Sequence, residues 1–230
     1  MKYKFRIYGE RNSGTNYMKQ LLLKHFPIEV INPQYIKVNN VTYVSDWKHE
    51  TPSPKKTHFI DVLMIRKLVP WLVSFYKKQW QLTKKKKFLD FLTQLLEPSK
   101  IRNEMMYNHR DKYVNYRDEN LSIFALRYLK WNELHSYFLR NQNVILVQLD
   151  ALQSSEDTCK LLLKSINDRY KLVPPEYFQY DPILFYKSIK TEIYVPKLLP
   201  KLSSMETDVI LKNRNEKEEK YIDRISFKIK

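Results

Sequence analysis

The sequence predicts an α/β chain: a single domain with a central parallel sheet flanked by helices. Three observations carry that prediction. Strand-like apolar segments alternate with segments whose apolar residues recur at helical spacing. Residues 59–66 and 144–150 are apolar runs that end in a polar or charged residue, as buried parallel strands do. Both glycines of the chain, Gly9 and Gly14, fall in one loop between the first strand and the first helix.

Each element follows from its own pattern. Residues 3–9 alternate with the period of a strand, and Tyr17, Leu21, Leu22 and Phe26 set a helix over 15–26. Residues 28–31 and 41–45 read as short strands, and the proline-rich, charged stretch 51–56 as a loop. After the strand at 59–66, a helix is expected over 69–80, with Pro70 tolerated in its first turn. The lysine run 84–87 reads as a solvated connection or helix face, with polyanion contact as the alternative, and the weakly periodic residues 98–118 as a mobile insertion. Leu121, Phe124, Ala125, Tyr128, Leu129 and Leu134 mark a long amphipathic helix. A strand at 144–150 and a helix at 152–167 follow, closed by Pro174-Pro175. Residues 175–230 read as a helical C-terminal part, with a surface helix over 212–224. No repeat and no second domain is visible, so residues 1–230 are read as one unit.

Composition narrows the classes. At 230 residues the chain suits one domain with a substantial core. A net charge of +16 and a pI near 9.6 should attract polyanions such as nucleic acid, sulfated or phosphorylated sugars, or nucleotides. The abundance of Lys, Asn, Ile and Tyr is equally what an AT-rich genome produces. The single cysteine, Cys159, excludes an internal disulfide, fits a reducing compartment and is expected on the buried side of a helix. The apolar runs are too short to span a bilayer and the N-terminus leads straight into a strand, so a cytoplasmic location without leader or anchor is expected.

A strand, a glycine loop and a helix in succession form a common cradle for an anion on helix N-terminal amides. Gly9 and Gly14 have the spacing of the nucleoside-triphosphate loop. In that loop a lysine and then a Ser or Thr follow the second glycine, to hold phosphate and magnesium. Here Thr15 and Asn16 stand in those places, so a P-loop small-molecule kinase lacks two chemical parts.

Ser13-Gly14-Thr15, following a basic residue and opening the first helix, resembles the 5′-phosphosulfate loop of the sulfotransferases. Arg66 and Ser74 have the spacing of that family's second signature, an arginine at a strand end and a serine eight residues on. Trp47-Lys48-His49-Glu50 is similar to the segment that supplies the catalytic histidine in cytosolic members, with lysine and histidine adjacent here. The resemblance covers residues 4–80, and the strand–helix order to about 167. It implies a P-loop-like nucleotide-binding architecture, 3′-phosphoadenosine 5′-phosphosulfate (PAPS) as co-substrate, its bisphosphate (PAP) as product, and no metal. It also implies roles: Arg11, Asn12, Ser13, Gly14, Thr15 and Asn16 at the 5′ end, Tyr17 stacked on adenine, and Arg66 with Ser74 on the 3′-phosphate. His49 would be general base, with Arg11 and Lys48 neutralising the leaving phosphate. Two departures stand out. Asn12 replaces the basic residue that normally precedes Ser-Gly-Thr, and no glycine follows Gly14 to build a second phosphate loop, where Lys212 and Arg214 are the candidate substitutes.

Plainer readings stand beside these. His49 could be a surface histidine, Arg11 a partner of Glu10, Ser13 or Thr15 a simple helix cap, and Tyr17 a core residue. Asp150 reads as structural or as an orienter of a basic residue. His25, His58, His109 and His135 lack metal-ligand spacing and read as ordinary surface. Tyr107, His109, Arg110, Tyr113, Tyr116 and Arg117 interleave cations and rings, as a lid over a hydroxyl-bearing acceptor such as a carbohydrate would. The alternative function is a non-catalytic polyanion or nucleic-acid binder on a degenerate version of the same fold.

Overall fold

The computed structural model describes residues 3–10, 13–31, 34–38, 41–45, 59–77, 87–96, 121–181 and 201–230. In chain order its strands are β1 (Lys4–Gly9), β2 (Glu29–Val30), β3 (Gln34–Val38), β4 (Val41–Ser45), β5 (Phe59–Ile65), β6 (Leu95–Leu96), β7 (Leu121–Ser122), β8 (Val144–Gln148) and β9 (Phe227–Ile229). The helices are α1 (Thr15–His25), α2 (Leu68–Lys77), α3 (Phe88–Thr93), α4 (Ile123–Arg140), α5 (Leu149–Ser154), α6 (Glu156–Tyr170), α7 (Ser204–Asn213) and α8 (Glu216–Asp223).

Among the described residues the central sheet runs β2-β1-β5-β8-β9. The first four strands are parallel, from Lys4 opposite Phe59 to Gly9 opposite Met64 and from Asp61 opposite Val144 to Ile65 opposite Gln148. Only β9 is antiparallel. From β1 the chain passes through α1 to β2 on one side and then returns to β5 on the other. Strand order therefore reverses between β1 and β5, the kind of place where open α/β sheets bind ligands.

Strand alternation sorts the core into two layers. Phe5, Ile7, Ile60, Val62, Met64, Ile145 and Val147 bury one face against Met18, Leu21 and Leu22 of α1 and Cys159, Leu162 and Ile166 of α6. Burial of each such side chain contributes about 1.5–3 kcal/mol. Tyr8, Leu63, Ile65, Val144 and Leu146 meet α4 and Ile222 of α8 on the other face. A third cluster joins α2, α3, the start of α4 and Ile210 of α7. Between strands on the α4 face, Arg6 donates to both carboxylate oxygens of the opposed Asp61 (2.7 and 2.9 Å), and the Tyr137 hydroxyl donates to Asp61 at 2.6 Å. Burial opposes the charge of Arg6, but the bond to Asp61 together with the charges of Tyr8, Asp61 and Tyr137 raises its pKa on balance and keeps the guanidinium ionised.

Several boundaries differ from expectation. The strand read as 144–150 stops at Gln148, where α5 begins. The helix read as 152–167 is two helices, because Ser155 accepts from Thr158 N–H and starts α6 afresh. The surface helix read over 212–224 is likewise two: Asn215 accepts from Glu218 N–H and caps α8, whose Glu219 and Ile222 are buried. The strands β3, β6, β7 and β9 and the helix α3 were not foreseen. Residues 84–86 and 98–118 lie outside the described residues. No helix among the described residues is long and apolar enough to cross a membrane.

His25 and His135 are not the ordinary surface residues expected. The Asp181 N–H donates to His25 Nε2 (3.1 Å), so Nδ1 carries the proton donated to the Leu21 carbonyl at 2.8 Å. His135 stacks on Trp131 with ring centroids 4.8 Å apart, and its Nε2 is buried without a hydrogen-bond partner among the described residues. Burial, then the charge of Lys228, lowers its pKa below the ordinary 6.5. A histidine with a depressed native pKa contributes stability that is present above its unfolded value and lost as pH falls through the lower native one. Urea unfolding at stepped pH should therefore show stability declining below about 6.5. His135→Phe should flatten that decline, and identical slopes for the two proteins would refute the assignment.

Candidate functional site

The glycine loop leaves the carboxyl end of β1, and internal packing accounts for both of its glycines. A Cβ on Gly9 would run into Ser13 Oγ and the Met64 carbonyl. Gly14 has φ of +87°, and a Cβ there would come within 2.5 Å of the Leu149 side chain. Ser13 does not cap α1. Its hydroxyl donates to the Glu10 carbonyl at 2.6 Å and its N–H to the same oxygen at 3.1 Å, closing the turn on itself. The N-cap is Gly14, so no side chain caps α1, and no acidic residue occupies its first turn. Thr15 is buried and Asn16 exposed at that end. An uncapped N-terminus without carboxylates suits an anion in charge and in donor chemistry.

The second element stands at the end of β5. Arg66 Nε donates to Asp150 Oδ1 at 3.1 Å, while the other carboxylate oxygen accepts from the Lys67 N–H at 2.8 Å. Asp150 thus orients a basic residue, as its place after β8 suggests, and fixes the turn into α2. The side chains of this pair are 16 and 17% exposed, so the guanidinium stands at the boundary between core and solvent. Ser74 is half-buried in the second turn of α2, on the same helix face as Lys67 and Pro70.

The two elements meet through a buried cluster that sequence reading missed. Arg127 of α4, wholly buried, donates from Nη1 to Glu10 Oε2 (2.9 Å) and from Nη2 to the Arg66 carbonyl (2.7 Å). It also donates from Nε and Nη2 to the Glu219 carboxylate (2.8 and 3.2 Å), and its guanidinium lies 5.1 Å from the Trp71 ring centroid. Burial works against its charge, but Glu10 and Glu219 raise its pKa on balance. Burial pushes Glu10 up from the usual carboxylate range, opposed by Arg127 and Lys130. The signal in the sequence was a cation within an otherwise apolar stripe, Phe124, Arg127, Trp131 and Leu134.

The other expected site residues divide by their surroundings. Tyr17 packs partly buried against the α1/α6 core, and burial raises the pKa of the Cys159 thiol, opposed by Tyr180 and Tyr17. Lys212 is exposed near the end of α7, and Arg214 pairs with Glu216 at 3.1 Å. Arg11, Asn12, Lys48 and His49 lie outside the described residues. A groove of about 520 Å³ is lined by Gln142, Ser165, Arg169 and residues 227–230. It borders β9, where Lys230 bonds the first residue of β8, and so lies at the other end of the strands from the loop. The chemistry-bearing residues stand instead at the carboxyl ends of β1, β5 and β8, where open α/β sheets bind ligands.

Gly14→Ala should cost about 1–2 kcal/mol for the left-handed backbone and about 1–3 kcal/mol for overpacking Leu149. Gly14→Asn, which tolerates positive φ, should escape the first cost only. Urea unfolding checks the order, wild type above Gly14→Asn above Gly14→Ala, and equal stabilities would reject this account of the turn.

Compared with known protein families, curated proteins and solved structures, the chain matches none.

Proposed function

We propose that the protein is a PAPS-dependent sulfotransferase with a P-loop-like nucleotide-binding architecture. One observation carries the reading. The uncapped turn at Gly14 and the oriented Arg66 follow neighbouring parallel strands, on the two sides of the point where strand order reverses. Adjacent strands lie about 4.8 Å apart, so a nucleotide with an anionic group at each end is the ligand class that would engage both.

In this reading the amides at residues 14–16 take the 5′ end, and Arg66 with Ser74 takes the 3′-phosphate. The guanidinium suits that task because Asp150 fixes its Nε edge before any ligand arrives. PAPS supplies an activated sulfuryl group. His49 removes the proton from the acceptor hydroxyl as its oxygen attacks sulfur, the bond from sulfur to the phosphate oxygen breaks, and Arg11 and Lys48 neutralise the departing bisphosphate. Tyr17, partly buried against the core beside the loop, is the residue that would stack on adenine.

Isothermal titration with adenosine 3′,5′-bisphosphate tests the proposal. Micromolar binding is expected, and the absence of heat at high micromolar concentration would sink it. Arg66→Ala should lose about 1.5–3 kcal/mol of that binding, the range for a hydrogen bond to a charged group. His49→Ala should bind the bisphosphate normally and abolish sulfuryl transfer. Salt-steep RNA binding that ignores the bisphosphate would favour a polyanion binder instead.

A further inference from the structure

The Arg127 cluster is an unusual use of charge. Two carboxylates and a guanidinium are removed from water, and replacing such a group by well-packed apolar residues is often neutral or stabilising. Burial for stability does not account for it. Its connections supply another reason. Glu10 belongs to the anion loop itself, the Arg66 carbonyl belongs to the residue proposed for the far phosphate, and Trp71 lies on the helix that carries Ser74. All three contact one planar group whose donors sit in fixed relative positions. Glu219 holds the opposite edge of that plane through two bonds, and Glu219 comes from α8, ninety-two residues further along the chain. Glu10 Oε1 is buried without a hydrogen-bond partner among the described residues, so the bond to Oε2 is what ties this carboxylate to the plane.

We infer that Arg127 is a positioning residue that sets the separation of the two phosphate grips and thereby makes the site selective for a nucleotide phosphorylated at both ends. The inference rests on the proposed nucleotide reading. When two contacts share one ligand, the second forms at an effective concentration governed by how rigidly the two grips are spaced. Loosening the plane lowers that effective concentration and leaves each grip intact. Arg127→Lys keeps the charge but loses the fork. Glu219→Gln keeps the shape and the guanidinium fork but removes one of its two carboxylate partners, leaving Glu10.

The experiment titrates wild type and both variants with adenosine 3′,5′-bisphosphate, adenosine 5′-phosphate and adenosine 3′-phosphate at fixed ionic strength, with thermal unfolding of each protein recorded alongside. Wild type should prefer the bisphosphate to either monophosphate. In the variants that preference should fall by about tenfold or more, a difference of about 1.4 kcal/mol, while affinity for each monophosphate stays within about threefold. A folded variant that retains the full preference would overturn the positioning role while leaving the nucleotide reading in place. A proportional loss for all three ligands would overturn it as well, by reducing Arg127 to a purely structural part. Failure of wild type to bind the bisphosphate would strike the nucleotide reading itself. Should Arg127→Lys not fold, the Glu219→Gln titration alone decides.

Discussion

The architecture at the carboxyl edge of the sheet depends on one buried cation. Arg127 is the only described group that touches the glycine loop, the end of β5, α2 and α8 together. A buried guanidinium cannot shed its proton to escape the cost of desolvation, so it must collect acceptors. The chain meets that demand from distant places: Glu10 at the start, the Arg66 backbone in the middle and Glu219 near the end. Removing one partner would strand charge in the core, at a cost of about 3–5 kcal/mol. The C-terminal segment is therefore structurally tied to the glycine loop, although Glu10 and Glu219 stand near opposite ends of the sequence.

A second buried pair shows the same logic used for a different end. Arg6 and Asp61 lie opposite each other on β1 and β5, and Tyr137 closes the carboxylate from α4. Their side chains point to the α4 face, where alternation would otherwise call for apolar residues. Because a slip of one residue would turn every side chain to the other layer, a charge pair there specifies register strongly. Arg6–Asp61 fixes how β1 meets β5, and Arg127 fixes the turns beyond their carboxyl ends. Between them they determine where the loop sits relative to Arg66.

Much of this fold was legible in the sequence, for identifiable reasons. β1, β5, β8, α1 and α4 carry several periods of their own pattern, and each lies within a few residues of its expected place. β9 spans only Phe227–Ile229, too short for alternation to register, and its place at the sheet edge depends on pairing with β8. The breaks at Ser155 and Asn215 are capping events inside helical patterns, where polar caps look like surface residues until the hydrogen bond is known. β3 pairs with β4 from Gln34 opposite Ser45 to Val38 opposite Val41, a partnership that the period of neither strand reveals by itself. At the site, Arg66 and Asp150 could be placed because strand ends are visible in sequence. Glu10, Arg127 and Glu219 could not be joined, since contacts of that separation leave no local trace.

The glycines teach a narrower lesson about inference from motifs. Both positions are required by the fold itself: Gly9 by Ser13 and Met64, and Gly14 by its backbone angle and Leu149. A glycine loop explained by its own packing would form whether or not an anion ever entered it, so the loop alone is weak support for a ligand. Greater weight falls on features that packing does not require. α1 begins without a cap or a carboxylate, and Arg66 is held by Asp150 at the boundary with solvent. Closer in, a buried guanidinium spans the two, at a substantial desolvation cost. These features share one placement, the carboxyl ends of β1 and β5.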